Sequence, residues 1–183
     1  ENSLKLAQVP PGFEISLFAA EPMVVNPIAM NWDQEGRLWV VEAFDYPHKI
    51  GTGDPQDRIK ILEDRDRDGR ADTVTVFAGG LNICTSVLPV PGGAIATDGP
   101  DMVLLRDEDG DGKADRKDVL WSGIGLRDTH ACVSNLRHGF DGWIYATVGY
   151  SGLDVTVNGR QHKSSQAVFR FLPDGSAFEI VQG

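Results

Sequence analysis

The chain has 183 residues, 41% of them hydrophobic, and a formal net charge of −10 from 17 Lys and Arg against 27 Asp and Glu. That is enough apolar material for one ordinary folded domain, which excludes a disordered chain. The acidic balance repels phosphate backbones and anionic lipid, so it argues against nucleic acid and membrane-surface partners and suits calcium or neutral ligands; no apolar run reaches the ~18 residues that span a bilayer.

Glu1 opens a polar segment unlike a signal peptide, so an exported form would have shed its signal already. Helical apolar spacing is nearly absent, and 21 Gly and 10 Pro cut the chain into short pieces. The pieces that alternate and favour β-branched or aromatic residues predict strands at FEISLF (13–18), PIAMNW (27–32), RLWVVEA (37–43), RIKILE (58–63) and TVTVFA (73–78). TSVLPV, AIAT, MVLL, DVLW, CVSNL, WIYATVG, AVFRF and FEIV follow, each bounded by Gly, Pro, Asn or Asp. The chain reads as all-β.

The strands repeat. The Asp ladder of EDRDRDGRADTVTVF begins at Asp64, and that of RDEDGDGKADRKDVLW begins at Asp107, 43 residues on. Four short strands per unit of this length are the mark of propeller blades. The ladders place blades at about 22–78, 79–122 and 123–183, with FEISLF (about 12–20) left over as a spare closing strand. Since a ring closes with about four or more blades, the chain is expected to be a single partial β-propeller domain, the N-terminal part of a larger ring of roughly six or seven. The rival architecture is a small β-sandwich, which seldom carries a matched repeat.

Alternating strand direction then sorts the loops. Residues 44–57, 97–101 and 149–166 fall on one face, together with the loop that carries His130, near the axis. Loops converging on a rigid scaffold are where propellers commonly bind ligands.

The Asp ladders are the most specific local signal. Asp107, Asp109, Asp111, Gly112, Asp115 and Asp118 occupy positions 1, 3, 5, 6, 9 and 12 of a calcium loop, with Asp for the usual bidentate Glu. Asp64, Asp66, Asp68, Gly69 and Asp72 repeat the pattern but end in Thr75, and Arg65, Arg67 and Arg70 offset their charge, so this loop should bind calcium more weakly. Asp-rich hairpin turns with solvated carboxylates account for the same residues. Both loops fall on the face opposite His130, which makes any calcium there structural.

His130, with Asp128 two residues before it to orient the ring, could take a proton from a hydroxyl; a loop histidine bonded to backbone is the alternative. Tyr46 and Tyr150 lie in the long loops and are ligand candidates. Trp32, Trp39, Trp121 and Trp143 read as packing between blades rather than as a sugar platform. Cys84 and Cys132 show no CxxC or CxxCH spacing, so neither zinc nor covalent haem is indicated in this chain; they sit at starts of inner strands, which seldom bring Cα atoms within the ~7 Å that a disulfide needs.

The stretches PPGFEISLFAAEPMVVNPIAMNWDQEGRLWVVEAFDYP, DRDRDGRADTVTVFAGGLNICTSVLPVPGGAI and DEDGDGKADRKDVLWSGIGLRDTHACVSNLRHGFDGWIYATVGYSG closely resemble the N-terminal propeller of the PVC-type haem-binding CxxCH proteins, also described as membrane-bound dehydrogenases. More distantly, THACVSNLRHGFDGWIYATVGYSG is similar to the segment of soluble quinoprotein glucose and sorbosone dehydrogenases that holds their catalytic histidine. The resemblance implies an exported, periplasmic or cell-surface protein, with haem confined to a cytochrome c module outside this chain. It also implies pyrroloquinoline quinone and calcium as cofactors, and a sugar or polyol as substrate.

On that reading His130 is the base, Asp128 orients it, and Asn26, Asn82, Asp45, Tyr46 and Tyr150 bind substrate. A second expectation is a non-catalytic, calcium-stabilised propeller that binds a glycan or protein and positions an electron-transfer module. A third, a lactonase, would gather Glu42, Asp98 and Asn135 around an axial calcium.

Overall fold

The computed structural model of the protein describes residues 4–47 and 54–183. Fourteen strands and two short 3-10 turns, with no α-helix, make up the regular structure of these residues. β1 (Pro27–Trp32), β2 (Leu38–Glu42), β3 (Asp57–Glu63) and β4 (Thr73–Leu81) form one antiparallel meander, in that order. β5 (Val87–Val90), β6 (Gly93–Asp98), β7 (Asp101–Arg106) and β8 (Arg116–Ser122) form the second. The third pairs β9 (Val133–His138) and β10 (Ile144–Val148) with β13 (Ala167–Phe171) and β14 (Phe178–Gln182), and the hairpin β11 (Leu153–Val157) and β12 (Arg160–Ser164) is inserted between β10 and β13. The first strands β1, β5 and β9 stand side by side. Three successive four-stranded meanders stacked face to face are the blades of a partial propeller, not the two layers of a sandwich.

Period-two alternation builds the stack. In β6, Ala94 and Ala96 face blade one and pack with its Trp39, Val41, Ile59, Ile61 and Phe77. Ile95, between them, faces blade three and joins Met102, Leu104 and Trp121 against Val133, Ile144, Phe169, Phe171 and Phe178. Middle strands are thus covered on both sides, which is why LWVVE and MVLL read as continuous apolar runs. Trp121 lies edge-on to Phe169, Phe171 and Phe178 with ring centroids 5.3–5.8 Å away, and each such buried ring contributes ~1.5–3 kcal/mol of transfer free energy. Trp39 is buried likewise, whereas Trp32 is exposed on the free face of blade one and Trp143 lies under the Arg170 guanidinium at 4.4 Å. Both cysteines are buried, and burial, with the Asp57 carboxylate nearby, pushes the Cys84 thiol far above its ordinary value.

One expectation is left without a partner and another needs correction. Residues 13–18 pair with no strand among the described residues, leaving Phe13 and Ile15 exposed. Residues 149–166 are not an open loop. Val157 pairs with Arg160 across Asn158 and Gly159, both at positive φ (51° and 75°), the turn that Asn-Gly favours in tight hairpins.

The loops divide between two ends as alternation requires. At one end, Gly99 N donates to Asn82 O (2.7 Å), Cys84 N to Asp57 Oδ2 (2.9 Å) and Thr129 Oγ1 to Pro47 O (3.2 Å), which lashes the β2–β3 and β6–β7 connections to the loops leading into β5 and β9. The two Asp ladders form the β3–β4 and β7–β8 connections, at the other end.

Candidate functional site

The segment between β8 and β9 makes a 3-10 turn at Thr129–Ala131, and Asp128 is its N-cap. The turn brings residues two apart into contact. Asp128 Oδ1 accepts from His130 N at 2.9 Å and lies 2.9 Å from His130 Nδ1, while Asp128 Oδ2 accepts from the Tyr150 hydroxyl. The backbone of Asp128 is held from both sides by Ser151: its N donates to Ser151 Oγ (2.9 Å), and that hydroxyl donates to Asp128 O (2.5 Å). Tyr150 and Ser151 follow β10, so blade three itself supplies the frame. Gly149 allows the approach, since a Cβ there would lie 2.9 Å from Ala131 Cβ.

Blade one closes the other side. Its β2–β3 connection reaches over blade two and sets the Tyr46 ring edge-on to His130, centroids 5.2 Å apart at 77°. Pro47, Leu126, Arg127, Asp128, Thr129 and His130 line an open cavity of about 260 Å³. Arg127 Nη2 donates to Tyr150 O at 2.8 Å.

These contacts set the protonation pattern. Hydrogen bonds from Tyr150, then from the backbone and ring of His130, hold the Asp128 carboxyl down at about 2, and the same bond raises the Tyr150 phenol. An ionised carboxylate only accepts, so the imidazole proton belongs on Nδ1 and the lone pair on Nε2. The His130 side chain is 67% exposed. It therefore presents an oriented proton acceptor to anything entering the cavity.

Of the residues expected at the ligand face, the structure gathers Asp128, His130, Tyr46 and Tyr150 and disperses the rest. Asn26 precedes β1 in a left-handed conformation (φ 46°), and its carbonyl accepts from Ala43 N. Asp45 accepts from Gln56 N at 2.8 Å and shapes its own loop. Asn82 donates through Nδ2 to Gly99 O (2.5 Å) and through N to Asp98 Oδ1 (2.8 Å). These three brace connections.

The lactonase set does not converge. Glu42 is buried and ion-paired to Lys60 and Arg58, Asp98 is engaged by Lys117, and Asn135 donates to Ser134 and Thr147. Arg127, Ser151 and Pro47 carry no signal in the sequence: the first two act where the turn before β9 meets the segment after β10, and Pro47 where the blade-one connection reaches Thr129.

On the opposite face, Asp64, Asp66 and Asp72 bring carboxylate oxygens within 4.8 Å of one another, and Asp107, Asp109 and Asp115 do the same. Asp107 accepts from Gly110 N (2.7 Å) and Gly112 N (3.0 Å), and Asp64 from Asp68 N (3.2 Å) and Gly69 N (2.8 Å), so the two loops share one fold. Three of the expected carboxylates in each loop converge. Asp68 and Asp111 lie outside the clusters, bonded to Arg70 N and Lys113 N. Asp118 lies on β8, where Arg116 and Arg106 bind its carboxylate and hold it down at about 2. Three carboxylates suit a calcium ion that completes its six to eight ligands with backbone oxygen and water.

A partial propeller with a carboxylate-oriented histidine on one face and paired acidic turns on the other is the class that fold and site define. The chain belongs to the DUF7133 family, a domain of unknown function, whose profile spans residues 1–183. No curated protein matches it.

Proposed function

We propose that this domain acts on a hydroxylated ligand, a sugar or polyol, with His130 as general base, as part of a quinoprotein-type dehydrogenase. The observation that carries the reading is the Asp128 carboxylate, held ionised by Tyr150 and bonded to His130 Nδ1. A hydroxyl entering beside Tyr46 would give its proton to Nε2, and Asp128 would stabilise the imidazolium that forms. The resemblance in THACVSNLRHGFDGWIYATVGYSG supports the assignment of the base.

Pyrroloquinoline quinone, which would accept the hydride, carries several carboxylates. Arg127 is the only Lys or Arg among the described residues lining this cavity, so these residues alone do not supply the cation set for that cofactor. The test is reconstitution of the natural polypeptide with the quinone and calcium, followed by dye-linked oxidation of a sugar and polyol panel, with quinone binding measured separately. Loss of turnover in His130→Ala with quinone binding retained supports the reading. Equal turnover in both proteins, or no turnover and no quinone binding in either, overturns it.

The paired acidic turns favour a second reading, a calcium-stabilised propeller that binds a glycan or protein without chemistry and positions an electron-transfer module. Calcium-dependent stability together with glycan binding that survives His130→Ala would select it.

A further inference from the structure

A cavity larger than the one at His130 lies elsewhere. It measures about 550 Å³ and runs along the free face of blade one, where Phe18, Ile28, Met30, Leu38 and Val40 line it, and past β1 to polar residues of the other inner strands such as Ser134 and Arg137. Ile28, Met30 and Trp32, on one side of β1, are 48%, 64% and 57% exposed, an apolar row of the kind that a neighbouring element normally covers.

The contacts of residues 16–18 identify that element. In blade two, Ala114 N donates to Phe77 O of β4 at 2.8 Å, and a Cβ on Gly112 would lie 3.6 Å from Thr75. In blade one, Ala71 N donates to Phe18 O at 2.9 Å, and a Cβ on Gly69 would lie 3.9 Å from Ser16. Phe77 packs with Ala94, Ala96, Leu105 and Ala114; Phe18 packs with Leu38, Val40, Leu62 and Ala71. Each member of the second group holds in blade one the position that its counterpart holds in blade two. Residues 16–18 therefore stand to blade one as residues 75–77, in the outer strand β4, stand to blade two. They occupy the outermost place of a blade preceding blade one. Beside β4, that interface is filled by Trp39, Val41, Ile59 and Ile61 from β2 and β3. Beside residues 16–18, the same place is the 550 Å³ cavity.

A second copy of the chain does not fit. The element it would offer is blade three, whose outermost place is already taken by β14, so docking it here would drive β14 into residues 16–18. Blade three also has its own free face, with Tyr145 and Trp143 beneath Arg170, and a separate sheet seated on blade one would leave that face uncovered. A continuous ring covers both.

We propose that residues 13–18 are the outer strand of a further four-stranded blade, whose three other strands come from the same polypeptide, outside residues 1–183, and fill the cavity beside β1 with an apolar face. This inference is independent of the chemistry at His130.

Hydrogen exchange on the natural polypeptide tests it, read by mass spectrometry with light scattering in parallel. In the monomer, amides of residues 15–18 should exchange within on the order of tenfold of those of residues 74–77, because both would be ladder amides of outer strands. Phe18→Asp should release the protection of 13–18 while β5–β8 stay protected, which separates loss of the strand from loss of the fold. Free exchange of residues 13–18 in the unsubstituted monomer overturns the proposal. Protection that appears only with concentration-dependent self-association also overturns it, in favour of pairing between copies.

Discussion

Asp57 is the residue whose loss should most disturb the ligand face without touching it. It is fully buried at the start of β3, and its carboxylate accepts three backbone N–H groups: Phe44 at 2.7 Å, Asp45 at 3.0 Å and Cys84 at 2.9 Å. The first two shape the connection that carries Tyr46 and Pro47, and the third anchors it to blade two. Asp57→Asn keeps the volume and one acceptor oxygen, which can still serve Phe44 and Asp45. It turns an NH2 toward the Cys84 amide, donor against donor. One hydrogen bond to a charged group is lost, at about 1.5–3 kcal/mol, and the Cys84 N–H is left buried without a partner. For a domain of this size about 2–4 °C is lost per kcal/mol, so the unfolding midpoint should fall by roughly 3–12 °C. Thermal unfolding followed by circular dichroism measures this, with fluorescence of a ligand-face probe to report whether the loop has moved. A shift within the ~0.5 kcal/mol expected of an ordinary surface substitution would refute the claim that these three bonds hold the loop.

Tyr150→Phe removes the strongest bond to Asp128, so its carboxyl should rise from about 2 toward the ordinary range, measurable by carboxyl NMR titration. The sign follows from linkage: Asp128 is depressed in the folded state, so its contribution is present above about pH 4, the unfolded value, and is lost as pH falls toward about 2. The substitution should remove that part of the acid dependence of stability, and an unchanged acid limb would contradict it. Gly125→Ala should disorder the site from beneath, because a Cβ there would lie 2.0 Å from Ser151 O and must displace the residue whose hydroxyl holds the Asp128 backbone. Weaker ligand binding with most of the fold retained is the expected result, and wild-type binding would exclude the close approach. Asp107→Ala should abolish most of the thermal stabilisation produced by millimolar calcium, leaving the smaller share of the Asp64 loop; no calcium effect on the unsubstituted protein would remove both sites.

The blades could be read from sequence because their determinants are local and repeated. LWVVE and MVLL announce strands buried on both faces, and the Asp ladders recur at a fixed interval with the same amide-to-carboxylate bonds in each copy. The inserted hairpin reads as a loop in the sequence, although VTVNGRQ carries its signal, an Asn-Gly turn that calls for two positive φ angles. FEISLF is legible only in part. Its alternation is a property of the segment, but pairing is a property of the edge beside it, and no sheet edge of the described residues lies there.

The ligand face divides along the same line. Asp128 and His130 are two residues apart, and a single 3-10 turn suffices to join them, so their partnership could be inferred from spacing. Tyr46 meets His130 from 84 positions away, and only because Asp57 ties one connection to blade two while Ser151 ties the other to blade three. Asn82 and Asp45 have the same polar character and lie on the same face, yet their side chains are spent on backbone partners that no residue pattern specifies. Chemistry at this face thus depends less on which polar residues the loops contain than on which ones the loop-bracing bonds leave over. His130 Nε2 is such a group: Asp128 fixes its ring through Nδ1, and the cavity receives the nitrogen that remains.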